Sequence, residues 1–135
     1  MPIIQSNGID INYEWSYGAA SNTETAPVVV LYNSLSSNLS MWDSQIPVLT
    51  DQGFRVLRYD SRGHGKSDAP DAPYTIEMLT EDVVGLLDAL GLDSIHFCGL
   101  SMGGMVGQCL ASKYPERLNS LTLCATAAYL SAPGV

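Results

Sequence analysis

Gly99-Leu100-Ser101-Met102-Gly103 fits the spacing G-x-S-x-G, which sets a serine on a turn too tight for side chains at either flank. Glycine at 99 and 103 removes the two Cβ atoms that would strike the neighbouring strand and helix. The chemistry such a turn allows is nucleophilic acyl transfer. The hydroxyl is lifted clear of the preceding strand, and the free N–H groups at the start of the next helix favour developing negative charge. The competing reading is an ordinary strand–helix turn in which Ser101 only caps the helix. An apolar strand before it, a helix after it and a further Gly104 for close packing favour the nucleophile elbow.

Positioning that serine requires alternating strands and helices. "IDINYEWSY" (9–17) alternates apolar and polar residues as a half-exposed strand does, and "APVVVLYN" (26–33) is a β-branched run suited to burial on both faces. "FRVLRYD" (54–60), "SIHFCGL" (94–100) and "LNSLTLCAT" (118–126) are further strands. Helices are expected at about 40–52, at 75–91 with Leu79, Val83, Leu86 and Leu87 on one face, and at 102–114, stopped by Pro115. Three strand–helix repeats imply an α/β fold, a mostly parallel sheet with helices on both faces.

The other chemistry-bearing residues read more plainly. His96 lies inside a strand and is expected to serve packing or surface; Trp42 is expected in the core. Glu77, Glu81, Asp82 and Asp88 are expected to form the solvated face of the 75–91 helix rather than a carboxylate pair. Cys98, Cys109 and Cys124 have neither C-x-x-C nor His-rich spacing, so they are expected to be buried thiols, with no zinc site and no disulfide framework. No metal and no cofactor is implied.

Six Lys+Arg against 14 Asp+Glu give a net charge of −8, with the basic residues scattered singly. Nucleic acid and anionic membrane are therefore poor partners. No stretch approaches the roughly 20 apolar residues that span a bilayer, and no charged-then-apolar leader opens the chain, so a cytoplasmic location is expected. With 135 residues the chain is one domain or a piece of one.

"DSRGHGKSDAP" (60–70), "FCGLSMGGMVGQ" (97–108) and "YNSLSSNLSMWDSQIPVL" (32–49), in this spacing, resemble the α/β-hydrolase fold. Within it they are similar to the 3-oxoadipate enol-lactonase group, whose elbow reads Gly-Leu-Ser-Met-Gly-Gly and whose Asn-Ser-Leu opening replaces the usual His-Gly. The resemblance runs from about residue 8 to 128. It implies a serine hydrolase cleaving a small ester or lactone, with Ser101 as nucleophile and an oxyanion hole made by the backbone N–H groups of Met102 and of Leu35, in the loop after the buried 26–33 strand. It also implies that His64 braces a turn beside the elbow rather than acting as base, that Asp60 and Arg62 pair in that turn, and that Ser67 and Asp68 fix its loop.

The family's chain order is serine, then acid, then histidine. After Ser101 the only acid is Glu116, at the wrong end of the sheet, and there is no histidine. Residues 1–135 are thus expected to form the N-terminal part of a single core domain, lacking the cap and the last strands, with a complementary C-terminal segment or second chain supplying acid and base. The alternative is a non-catalytic fragment whose open sheet edge pairs with a partner chain or with itself.

Overall fold

The computed structural model describes residues 2–19, 25–34, 37–71 and 74–127. The five expected strands and one more at the start of the chain form one six-stranded sheet: β1 (Ile3–Ser6), β2 (Ile9–Ser16), β3 (Val28–Tyr32), β4 (Arg55–Tyr59), β5 (Ile95–Leu100) and β6 (Leu118–Cys124), in the order β1-β2-β4-β3-β5-β6. β1, β2 and β4 pair antiparallel, while β4, β3, β5 and β6 run parallel. The protein is an α/β fold.

Every residue of β3 is buried, and its alternation divides the core. Val28, Val30 and Tyr32 meet Leu79, Val83, Leu86, Val106 and Leu110 from α2 (Ile76–Ala89) and α3 (Met102–Lys113). Val29 and Leu31 turn to the other face and meet Trp42 and Val56, with Ile46 and Leu49 of α1 (Ile46–Asp51) beside them. A period of two thus sends one strand's side chains into two cores, as a doubly covered parallel sheet demands.

Two elements depart from the sequence reading. The expected 40–52 helix is a 3-10 turn at Leu39–Trp42 followed by the short α1. Pro47 is the cause: without an N–H it is tolerated in a first turn and disrupts a helix interior, so α1 starts beside it. β1 is an additional strand, joined to β2 by Asn7-Gly8, both with positive φ (49° and 83°). Asn-Gly at the centre of a two-residue hairpin is a readable signal, because both positions require left-handed backbone.

Candidate active site

Ser101 stands where β5 ends and α3 begins. Its backbone, at φ 56° and ψ −111°, is in a region that non-glycine residues enter only when their surroundings impose it. The surroundings here are close. A Cβ at Gly99 would overlap the Gly103 carbonyl, and one at Gly103 would come within 2.6 Å of the Tyr32 carbonyl oxygen. The Ser101 N–H donates to the Cys124 carbonyl at 2.9 Å, tying the turn to β6. Ser101 is exposed, and its side chain makes no capping hydrogen bond, which removes the support for a mere helix cap.

The loop after β3 is gripped on both sides. Asn33, fully buried, donates through Nδ2 to the Tyr59 carbonyl at 2.9 Å and accepts from Trp42 Nε1 at 2.9 Å. Farther along, the Leu39 N–H donates to Asp60 at 2.8 Å and the Leu39 carbonyl accepts from Arg58 at 3.1 Å. Leu35, the expected second oxyanion donor, lies outside the described residues; Met102, the first, is the opening residue of α3.

In the turn after β4 side chains add to the backbone bonds from Gly63 to Asp68 and from His64 to Ser61. Asp60 accepts from Asn12 Nδ2 (2.9 Å), Leu39 N–H (2.8 Å) and Lys66 N–H (3.0 Å). Ser67 donates to the Asp60 carbonyl and accepts from the Asn12 N–H, and Asp68 accepts from the Asp10 N–H. The His64 Nδ1 lies 3.2 Å from Ser61 Oγ and 3.0 Å from the Arg62 carbonyl, so its imidazole engages its own turn.

Arg62 and Asp82 correct the sequence reading. Arg62 does not pair with Asp60: its Nε and Nη2 grip Asp82 at 2.9 and 2.8 Å. Asp82, expected on the solvated face of α2, is 2% exposed and also accepts from Asn7 Nδ2 at 3.0 Å. Hydrogen bonding to Asp82 raises the Arg62 pKa further. The pattern of α2 could not reveal this, because β1 and the turn after β4 meet on that side of the helix. Glu81 is likewise engaged, by Tyr114 and Lys113, and Asp88 pairs with Arg117 at 2.9 Å.

His96 sits five residues before Ser101, roughly 16 Å along an extended strand. There it bonds Ser120 Oγ at 2.7 Å and packs edge-on against Phe54. It lines, with Val29, Leu31, Trp42, Val48 and Thr122, an apolar groove of about 430 Å³ beside α1. The three cysteines are free and half-buried rather than buried. Burial, reinforced by the neighbouring Cys124, pushes the Cys98 thiol up to about 11, which suppresses the thiolate that a cysteine nucleophile requires. Among the described residues no cluster could hold a metal ion, and no helix is long and apolar enough to cross a membrane.

Residues 27–134 match the family model described as the alpha/beta hydrolase fold. The chain belongs to that family. The strained serine between β5 and α3 therefore sits in an α/β-hydrolase framework. Over 125 residues the chain is 43% identical to 3-oxoadipate enol-lactonase 2 of Acinetobacter baylyi, covering 93% of this chain and 45% of that protein. It is 36% identical over 113 residues to bifunctional epoxide hydrolase 2 of Sus scrofa, covering 82% and 20%. The crystal structure of the enol-lactonase from Burkholderia xenovorans LB400 superimposes with a TM-score of 0.90 at 48% identity, covering 99% of this chain and 50% of that one. This α/β-hydrolase chain thus spans about half the length of the lactonases it matches.

Proposed function

We propose that residues 1–135 are the nucleophile-bearing N-terminal part of a single α/β-hydrolase core domain, acting in the cytoplasm on a small lactone or ester through an acyl-enzyme. The observation that carries this reading is Ser101 itself: an exposed, uncapped hydroxyl on a left-handed backbone at the start of a 12-residue helix. The likeness to two enol-lactonases supports a lactone as substrate, and three free thiols suit a reducing compartment.

In the reaction, Ser101 Oγ attacks the substrate carbonyl carbon while a histidine of the complementary C-terminal segment takes the hydroxyl proton. The carbonyl oxygen becomes an oxyanion facing the N–H groups of Met102 and Leu35, each worth a few kcal/mol to the transition state. Collapse breaks the C–O bond, and the histidine returns its proton to the leaving oxygen. For a lactone that oxygen stays tethered, so the acyl-enzyme carries the whole opened ring. Water, deprotonated by the same histidine, then attacks the ester, and collapse breaks the bond to Ser101 Oγ, which takes the proton back from the histidine as the acid leaves.

The test is labelling of the full-length enzyme with a fluorophosphonate, followed by peptide mass spectrometry. One adduct, on the peptide carrying Ser101, is expected, and Ser101→Ala should abolish it and reduce lactone or ester turnover by about 10⁴-fold or more. An adduct elsewhere, or turnover unchanged in Ser101→Ala, overturns the assignment.

A second reading rests on β6. It pairs only with β5 among the described residues, and Leu123 is 43% exposed, as suits a strand that associates with another chain. Self-association of residues 1–135 in sedimentation, persisting after the complementary segment is added, would favour that reading over the first.

A further inference from the structure

Among the described residues, three non-glycines hold positive φ: Asn7, Ser101 and Ala125. Asn7 belongs to a hairpin that calls for it. The other two lie at the ends of neighbouring parallel strands and are bonded through their flanks. Ser101 donates its N–H to the Cys124 carbonyl at 2.9 Å, and its own carbonyl accepts from Thr126 Oγ1 at 2.6 Å. Residues 124 and 126 therefore grip the two peptide groups of one residue, and Ala125 turns left-handed (φ 44°) between them.

The consequence concerns Met102. The Ser101 carbonyl and the Met102 N–H belong to the same trans peptide unit, so they point in opposite directions. The carbonyl is held toward α3 by Thr126 and by the N–H groups of Gly104 (3.0 Å) and Met105 (3.3 Å). The Met102 N–H is thereby aimed away from the helix. Gly104 makes the clamp possible, since a Cβ there would lie 2.5 Å from Thr126 Cβ. Gln108 secures the same segment, its amide lying between the carbonyls of Gly104 (3.3 Å) and Ala127 (3.2 Å).

We infer that Thr126 is a positioning residue of the hydrolase: its hydroxyl fixes the Ser101–Met102 peptide plane so that the Met102 N–H faces the developing oxyanion. This rests on the serine-hydrolase reading above. Thr126 touches no reacting atom. It acts through the peptide it orients, and its effect falls on the transition state more than on substrate binding.

The experiment is steady-state kinetics of the full-length enzyme carrying Thr126→Val, which keeps the shape and removes the donor, and Thr126→Ser, which keeps the donor. Thr126→Val is expected to lower kcat about tenfold with KM within about twofold, less than the roughly 10²–10³-fold lost when an oxyanion donor is removed outright. Thr126→Ser should restore kcat. Affinity for a boronic acid that forms a tetrahedral adduct should fall with kcat, while affinity for the carboxylic acid product stays unchanged. Should Thr126→Val fail to fold, Gly104→Ala, which displaces the threonine, should give the same kcat-specific loss.

Parent-level kcat in Thr126→Val, a loss in Thr126→Ser as large as in Thr126→Val, or a change confined to KM each overturns the clamp. If Ser101→Ala is inactive while Thr126→Val is not, the clamp alone fails. If Ser101→Ala keeps full turnover, the serine-hydrolase reading fails and the clamp fails with it.

Discussion

The turns after β4 and after β5 flank the same central strand, β3, and both need glycines and backbone bonds, but they differ in what their own polar side chains do. Residues 60–68 hold themselves together with side chains: Asp60 accepts from Asn12, Leu39 and Lys66, Ser67 bridges to Asn12, and Arg62 grips Asp82. Residues 99–104 are held by backbone, by the missing side chains of Gly99 and Gly103, by the bond from Ser101 to Cys124, and by Thr126 and Gln108 reaching in from outside the turn. The polar-rich turn uses its polar atoms internally. The glycine-rich turn leaves its hydroxyl uncapped. A reactive group must be held without consuming its own hydrogen-bonding capacity, so the richer-looking turn is the scaffold and the sparser one is the candidate site.

That contrast can be broken most severely at Asp82. Asp82→Ala would leave the Arg62 guanidinium, 8% exposed, without its buried partner. A loss of about 3–5 kcal/mol is expected in urea denaturation. Replacing the pair together, Arg62→Met with Asp82→Leu, should recover most of it. A loss under about 1 kcal/mol for Asp82→Ala would show that the first turn does not depend on its side chains.

A smaller change of opposite sign is expected beside the elbow. Ala125 is exposed at φ 44°, where asparagine is far better tolerated than alanine. Ala125→Asn should stabilise the protein by roughly 0.5 kcal/mol, and Ala125→Val should destabilise it by about 1–2 kcal/mol, because a β-branched residue resists this backbone. Equal stability of the two variants would mean that the segment relaxes freely and that backbone does not hold this turn.

The smallest effect lies one residue from Asp82. Glu81 accepts from the Tyr114 hydroxyl at 2.7 Å and from Lys113 at 3.1 Å, and these partners hold its carboxyl below the ordinary 4.5. A depressed folded-state pKa contributes stability above 4.5 that is lost as pH falls through the folded value. Both side chains of the ion pair are more than a third exposed, so Glu81→Gln should cost only about 0.5 kcal/mol at neutral pH and nothing in acid, by denaturation at each pH. Adjacent acids, Asp82 and Glu81, would then differ severalfold through burial alone.

Local chemistry carried much of this. The β-branched run at 28–32 reads as a doubly buried strand because no polar residue interrupts it, and the glycines at 99 and 103 mark a tight turn because few other reasons put two there. Asn7-Gly8 is a hairpin signal of the same local kind, yet β1 is not among the strands expected, and Pro47 breaks the helix expected over 40–52 into the 39–42 turn and α1.

Tertiary structure decided the partners. Arg62 could not be assigned to Asp82 rather than Asp60 from sequence, since twenty residues separate the pair and only the packing of α2 against β1 closes the distance. Helical periodicity placed Asp82 toward solvent because periodicity reports one face at a time, whereas burial depends on everything that covers the helix. The left-handed backbone at Ala125 and the grip of Thr126 on the Ser101 carbonyl have no sequence signature at all. They arise where two parallel strands end side by side, and hydrogen bonds between segments distant in the chain exist only once the sheet has set its register.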